Sequence, residues 1–138
     1  NNTPSEILFH IIFMTNVGFL EEIIFRGFLF KMMAKDNLKS AIIVSAITFG
    51  MGHIVNLLNG ASLFSTLMQI CYATAIGYIL VIIFYKSKSL VPCIITHAAF
   101  NGLSIFNEGN KLLSYIITVF IVVVSLSYAF YINRTIKE

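Results

Sequence analysis

Long apolar runs separated by short polar breaks dominate this chain and leave it few ways to fold. Five runs, at roughly residues 5–33, 38–58, 62–85, 89–106 and 112–132, each approach the ~20 residues that a helix needs to cross a bilayer. The breaks are Lys35-Asp36-Asn37, Asn59-Gly60, Lys86-Ser87-Lys88-Ser89 and Asn107-Glu108-Gly109-Asn110, and each holds residues that end helices or form turns. Pro92 falls in the first turn of the fourth run, where its missing N–H does no damage. Ala73 and Gly77 make a small-xxx-small pair suited to close helix contact. The expected fold is therefore all-α, a polytopic transmembrane helical bundle of about five spans, with residues 1–138 forming one unit.

Composition agrees. Hydrophobic residues make up 58% of the chain and charged residues 11%, against about 25% charged in typical soluble domains. The mean hydropathy is +0.89. A soluble domain with one large core is excluded. No basic cluster interleaved with aromatics appears, so no nucleic-acid partner is expected. Cys71 and Cys93 stand too far apart for a zinc knuckle or a CxxC redox pair, and are expected to pack as small hydrophobes. No cleavable leader with a basic start is expected, and a chain that begins at Asn1 without Met is expected to be part of something longer.

Basic residues set an orientation. With five alternating helices, the breaks after runs one, three and five share a side, and they carry Lys31, Lys35, Lys39, Lys86, Lys88, Arg134 and Lys137. The other side has only Lys111. By the positive-inside rule, the lysine-rich side and the C-terminus face the cytoplasm.

Against that apolar background, Glu21, Glu22 and Arg26 fall in the middle of the first run. One charge at the centre of a lipid-exposed helix costs roughly 2.5 to 3.5 kcal/mol on insertion scales. Three within six positions must face a protein interior or a wet cavity. Glu22 and Arg26 are spaced i,i+4 with the acid first, the favourable order for a pair on one helix. On a regular α-helix Glu21 points about 100° away from Glu22. His53 lies on the second run and His97 on the fourth, with Asn101 one turn further on. At ~1.5 Å rise per residue, Glu21, His53 and Asn101 all lie about 20 Å from the basic breaks, and His97 about 13 Å. Three separate helices thus bring polar groups to one layer, and a small polar cavity lined by Glu21, His53, His97 and Asn101, buttressed by Glu22 and Arg26, is expected. His10, near the outer edge, has a structural or solvated place. Asn16 and Asn56 stand where they could line the cavity.

Taken in order, Glu21-Glu22-x-x-x-Arg26, Phe49-x-x-x-His53 and His97-x-x-x-Asn101 resemble the three-motif signature of the CAAX-protease and bacteriocin-processing family, also called Abi. These are intramembrane endopeptidases. The likeness covers residues 21 to 101 directly, and family members often carry further helices before the first motif. Each motif alone is weak, whereas all three in order inside an apolar chain are specific. The resemblance implies peptide-bond hydrolysis by an activated water, held by Glu21 and His53, with His97 and Asn101 stabilising the oxyanion. Glu22 and Arg26 match supporting positions, and Phe49 one that shapes the pocket. The implied partners are a membrane-associated peptide or protein substrate and the lipid bilayer. The Ile, Lys and Asn usage points to an AT-rich bacterial genome, hence to a bacterial cell membrane.

On the cofactor, a metal-free glutamate-and-histidine reading is favoured. Zn²⁺ held by Glu21, Glu22, His53 and His97 is the alternative, although no HExxH is present. The plain structural reading of the first motif is a salt bridge fastening one helix to its neighbours, which accounts for Glu22 and Arg26 but leaves Glu21 over. Two other functional classes stay open. One is a non-catalytic immunity or scaffold protein of the same fold, and the other a carrier using the acid and histidines as a proton relay.

Overall fold

The structure, a computed structural model, describes residues 3–104 and 111–135. The break at residues 107–110 and Lys137 lie outside the described residues. Every described element is helical. We number them α1 Pro4–Met33, α2 Leu38–Leu57, α3 Leu63–Ser87, α4 Val91–Leu103 and α5 Lys111–Thr135.

Local chemistry sets the ends. Thr3 and Glu6 form a reciprocal capping box on α1, in which the Thr3 N–H donates to Glu6 Oε2 at 2.7 Å and the Glu6 N–H donates to Thr3 Oγ1 at 3.4 Å. Asn37 and Ser62 cap α2 and α3 by accepting from the Ser40 and Ser65 N–H groups. Pro92 lies in the first turn of α4, where no helical N–H is lost. Gly60 supplies a positive φ of 85° in the turn before α3.

Two helices depart from α geometry. In α1 the segment Ile23–Phe30 is π-helical. Its buried residues Gly18, Glu22, Arg26 and Phe30 recur every four positions. On a regular α-helix each such step overshoots a full turn by about 40°, so the set would spread over about 120°. All four are nonetheless buried, Gly18 and Glu22 in the α-helical part and Arg26 and Phe30 in the π-helical segment. In α2 the α-helix ends at Met51 and continues as a tighter 3₁₀ turn over Gly52–Leu57, which carries His53.

At the centre of the bundle, α3 packs against α2, α4 and α5, while α1 lies along α4 and leans its second half on α2. The buried hydrophobic cluster sits toward the lysine-rich end and includes Phe30, Ala41, Leu80, Val81, Phe84 and Cys93. Phe30 and Phe84 meet edge to face at 5.8 Å. Outward-facing positions of α1 and α5 are large and apolar, among them Phe9, Phe13, Leu20, Phe120 and Leu126, the surface a bilayer would cover. The α2–α3 contact depends on absent side chains. A Cβ on Gly50 would collide with Thr74 Oγ1 and come within 2.8 Å of the Ile70 carbonyl, and one on Gly77 would come within 2.9 Å of Phe49 Cδ1.

The protein is a helical membrane bundle, as its sequence predicts. Among the described residues three helices, α1, α2 and α3, are long and apolar enough to cross a membrane. The fourth run, expected to span 89–106, is α-helical over Val91–Leu103, and residues 105 and 106 lie outside the described residues. In α5 the apolar part is Leu112–Tyr128. Of the two cysteines, Cys93 is buried as expected. Cys71 is exposed and lines a lateral cavity of about 290 Å³ between α2, α3 and α5.

Candidate active site

The i,i+4 spacing of Glu22 and Arg26 survives the π turn, and Arg26 Nη1 donates to Glu22 Oε1 at 2.8 Å, with both side chains fully buried. Arg26 does more than neutralise an acid. Its Nη2 donates to the Gly77 carbonyl of α3 at 2.7 Å, and the guanidinium lies 4.6 Å from the centre of the Phe49 ring of α2. One side chain therefore ties three helices through an ion pair, a backbone acceptor and a cation–π contact. Ser45 adds a further tie by donating from Oγ to the Phe25 carbonyl at 3.2 Å.

His97, on α4, sits between the two glutamates. Its Nδ1 is 2.8 Å from Glu22 Oε1 and its Nε2 is 3.4 Å from Glu21 Oε2. A carboxylate only accepts, so Nδ1 carries a hydrogen and donates to Glu22. Neutral, the imidazole presents a lone pair at Nε2; protonated, it donates at both nitrogens and brings Glu21, Glu22, Arg26 and His97 to zero net charge. The acids differ in access. The Glu22 side chain is fully buried, while that of Glu21 is 31% exposed. Glu21 is thus the acid of the pair that an incoming molecule can reach.

Phe49 links the two histidines. Its buried ring meets His97 at 5.3 Å and His53 at 5.9 Å, centre to centre. His53 Nδ1 is 3.3 Å from the Phe49 carbonyl, which only accepts, so Nδ1 donates and a neutral ring keeps its lone pair at Nε2. The half-buried Asn101 lies one turn beyond His97, and its carbonyl accepts from Ser104 Oγ at 2.6 Å. Among the described residues no hydrogen bond joins His53, or the Asn101 amide group, to Glu21 or His97.

The structure thus brings Glu21, Glu22, Arg26, His97 and Phe49 into contact, with His53 one ring away and Asn101 one turn away. The expected division between a cavity set and a buttress needs revision at Glu22, which holds His97 directly. That link depends on the relative rotation of two helices, which spacing along either one does not give. His10 Nε2 reaches Ser104 Oγ at 3.3 Å and the Asn101 carbonyl at 3.4 Å, a tie between α1 and α4. Asn16 turns back to the carbonyl of Ile12 on its own helix. Asn56, next to His53 in the 3₁₀ turn, donates to Gln69 Oε1 on α3 at 2.7 Å. Gly18, which the motifs do not include, lies against His97, and a Cβ there would stand 3.3 Å from its Cγ. Its i−4 relation to Glu22 is the one signal the sequence holds for it.

A metal reading needs ligands free to converge. Both nitrogens of His97 face carboxylates, Glu22 Oε1 is shared with Arg26, and His53 stands apart, behind Phe49. Among the described residues no three His, Cys, Asp or Glu side chains form a ligand set. In this arrangement the residues do not fit a zinc site.

Fold and site together define a class, the helical membrane proteins that hold an acid pair, a histidine and an arginine in their interior. The chain belongs to the family of type II CAAX prenyl endopeptidase Rce1-like proteins, whose model it matches over residues 3–103, from α1 through α4. Comparison with curated proteins and with solved structures gave no match.

Proposed function

We propose that this chain is an intramembrane endopeptidase that hydrolyses a peptide bond of a membrane-associated peptide or protein. The observation that carries this reading is the reachable Glu21 carboxylate, 3.4 Å from Nε2 of a histidine whose other nitrogen is fixed by a buried acid. Family membership supports it.

In this reading Glu21 accepts a proton from a water as its oxygen attacks the scissile carbonyl carbon. Nε2 of His53 accepts the water's other hydrogen bond and aims it. The carbonyl oxygen becomes an oxyanion, which the Nε2–H of protonated His97 and the Asn101 amide stabilise by donating to it. Glu21 then passes its proton to the leaving nitrogen, the C–N bond breaks, and a carboxylic acid and an amine result. No metal takes part. The membrane is that of a bacterial cell, with the lysine-rich end and the C-terminus in the cytoplasm.

The test compares peptides released from membranes of cells expressing the wild type or Glu21→Gln. Peptides present only with the wild type are expected, and identical profiles would remove the proposed base. Unchanged cleavage after chelation is the expected result for the metal question, and loss reversed by added Zn²⁺ would overturn the metal-free mechanism.

A further inference from the structure

A second polar feature lies away from the acid cluster, at the lysine-rich end of the bundle. There the end of α1, the turn into α2 and the turn between α3 and α4 enclose a pocket of about 370 Å³, a size typical of small-molecule sites. Lys31, Lys35 and Lys88 line it, together with an apolar wall that includes Phe30, Leu38 and Phe84.

These lysines are not an indifferent solvated fringe. Lys31 Nζ lies 5.5 Å from the centre of the Phe84 ring, and Lys88 Nζ 4.1 Å from that of Tyr85, so two of the three charges are held over aromatic faces that line the pocket. Among the described residues no carboxylate pairs with any of the three, and the nearby Asp36 joins none of them. Lys88 also holds a left-handed backbone, φ 56° and ψ 16°, at the end of α3, a position that favours glycine. A lysine there holds a backbone conformation that L side chains rarely adopt.

We infer that this pocket binds the phosphate headgroup of an anionic phospholipid. The ammonium triad matches a phosphodiester, and the Phe30, Leu38 and Phe84 wall suits the glycerol and upper acyl carbons. Its place at the ends of α1 and α3 is the depth at which lipid phosphates lie. Basic pockets between membrane helices take such headgroups, the lysine charges being drawn to the anionic leaflet. The inference does not depend on peptidase activity.

The protein, purified in a nonionic detergent, is titrated with dioctanoyl phosphatidylglycerol, with phosphatidylcholine of the same chains and with inorganic phosphate, and binding is read by native mass spectrometry and by the shift in unfolding temperature. Phosphatidylglycerol is expected to bind at least about tenfold more tightly than phosphatidylcholine. The K31Q/K88Q variant should lose that preference, while K39Q/K86Q, with the same change in charge, should keep it. Equal loss in the two variants would mean a diffuse basic field and overturn the site. Binding of inorganic phosphate as tight as that of the lipid would overturn the lipid assignment. Lys88→Gly separates folding from binding: it should leave the unfolding temperature in phosphatidylcholine unchanged or higher while weakening phosphatidylglycerol severalfold, and undiminished lipid binding by this variant would also sink the proposal.

Discussion

Oε1 of Glu22 stands 2.8 Å from His97 Nδ1 and 2.8 Å from Arg26 Nη1, so one buried carboxylate oxygen joins the imidazole of α4 to the guanidinium of its own helix. The same atom serves stability and the site at once. Its neighbour Glu21 is partly exposed, and among the described residues it is paired with His97 Nε2.

Substitution of the two acids should therefore separate. Glu22→Gln leaves a buried arginine without its counter-charge and should cost about 3–5 kcal/mol of stability, the usual result of removing one partner of a buried pair. Glu21→Gln should leave the unfolding temperature in detergent unchanged while abolishing cleavage. A Glu22→Gln protein as stable as the wild type would contradict the central place given to that oxygen.

At Gly18 the expected readout is activity rather than folding. An alanine Cβ 3.3 Å from His97 Cγ can be absorbed by a shift of a few tenths of an ångström. Leucine cannot fit without turning the imidazole away from Glu22. Gly18→Ala should keep most of its turnover, and Gly18→Leu should lose it. If kinetics on a released peptide give the two variants equal rates, the α1–α4 contact does not position His97.

Two nearby glycines on α2 should behave oppositely. Gly50→Ala drives a methyl into Thr74 and the α3 backbone, and overpacking of this sort typically costs about 1–3 kcal/mol. A Cβ added at Gly52 would meet nothing within 4 Å, so Gly52→Ala should be tolerated. Thermal unfolding of both variants side by side checks the α2–α3 packing directly.

The Asn56–Gln69 hydrogen bond anchors the 3₁₀ turn that carries His53. Gln69→Ala removes one hydrogen bond, worth about 1 kcal/mol, and should slow turnover severalfold with little change in substrate affinity. Asn101→Ala, which removes the proposed oxyanion donor, should lower the rate on the order of a hundredfold. A larger effect at Gln69 than at Asn101 would reverse the roles assigned to them.

Much of this is legible in the residues because a membrane span simplifies the problem: apolar length gives the helices, and any charge within them demands a partner. The Glu22–Arg26 pair follows from spacing on one helix. The contact of His97 with both acids does not, because it depends on how α1 and α4 are rotated, and the glycine that lets them approach carries no chemical mark. Hydropathy also gives no sign of the change from α to 3₁₀ geometry at Gly52, so the sequence puts His53 on a regular helix.

The π-helical segment of α1 makes the register of that span unforgiving. Glu22, Arg26 and Phe30 are all buried along this stretch, two of them charged and held by their position on the helix. Deleting one residue between Glu22 and Arg26 would swing the acids by about 100° relative to the arginine. Homologous chains that keep all three motifs but are one residue shorter at this point would have to solve the problem of the buried charge in another way.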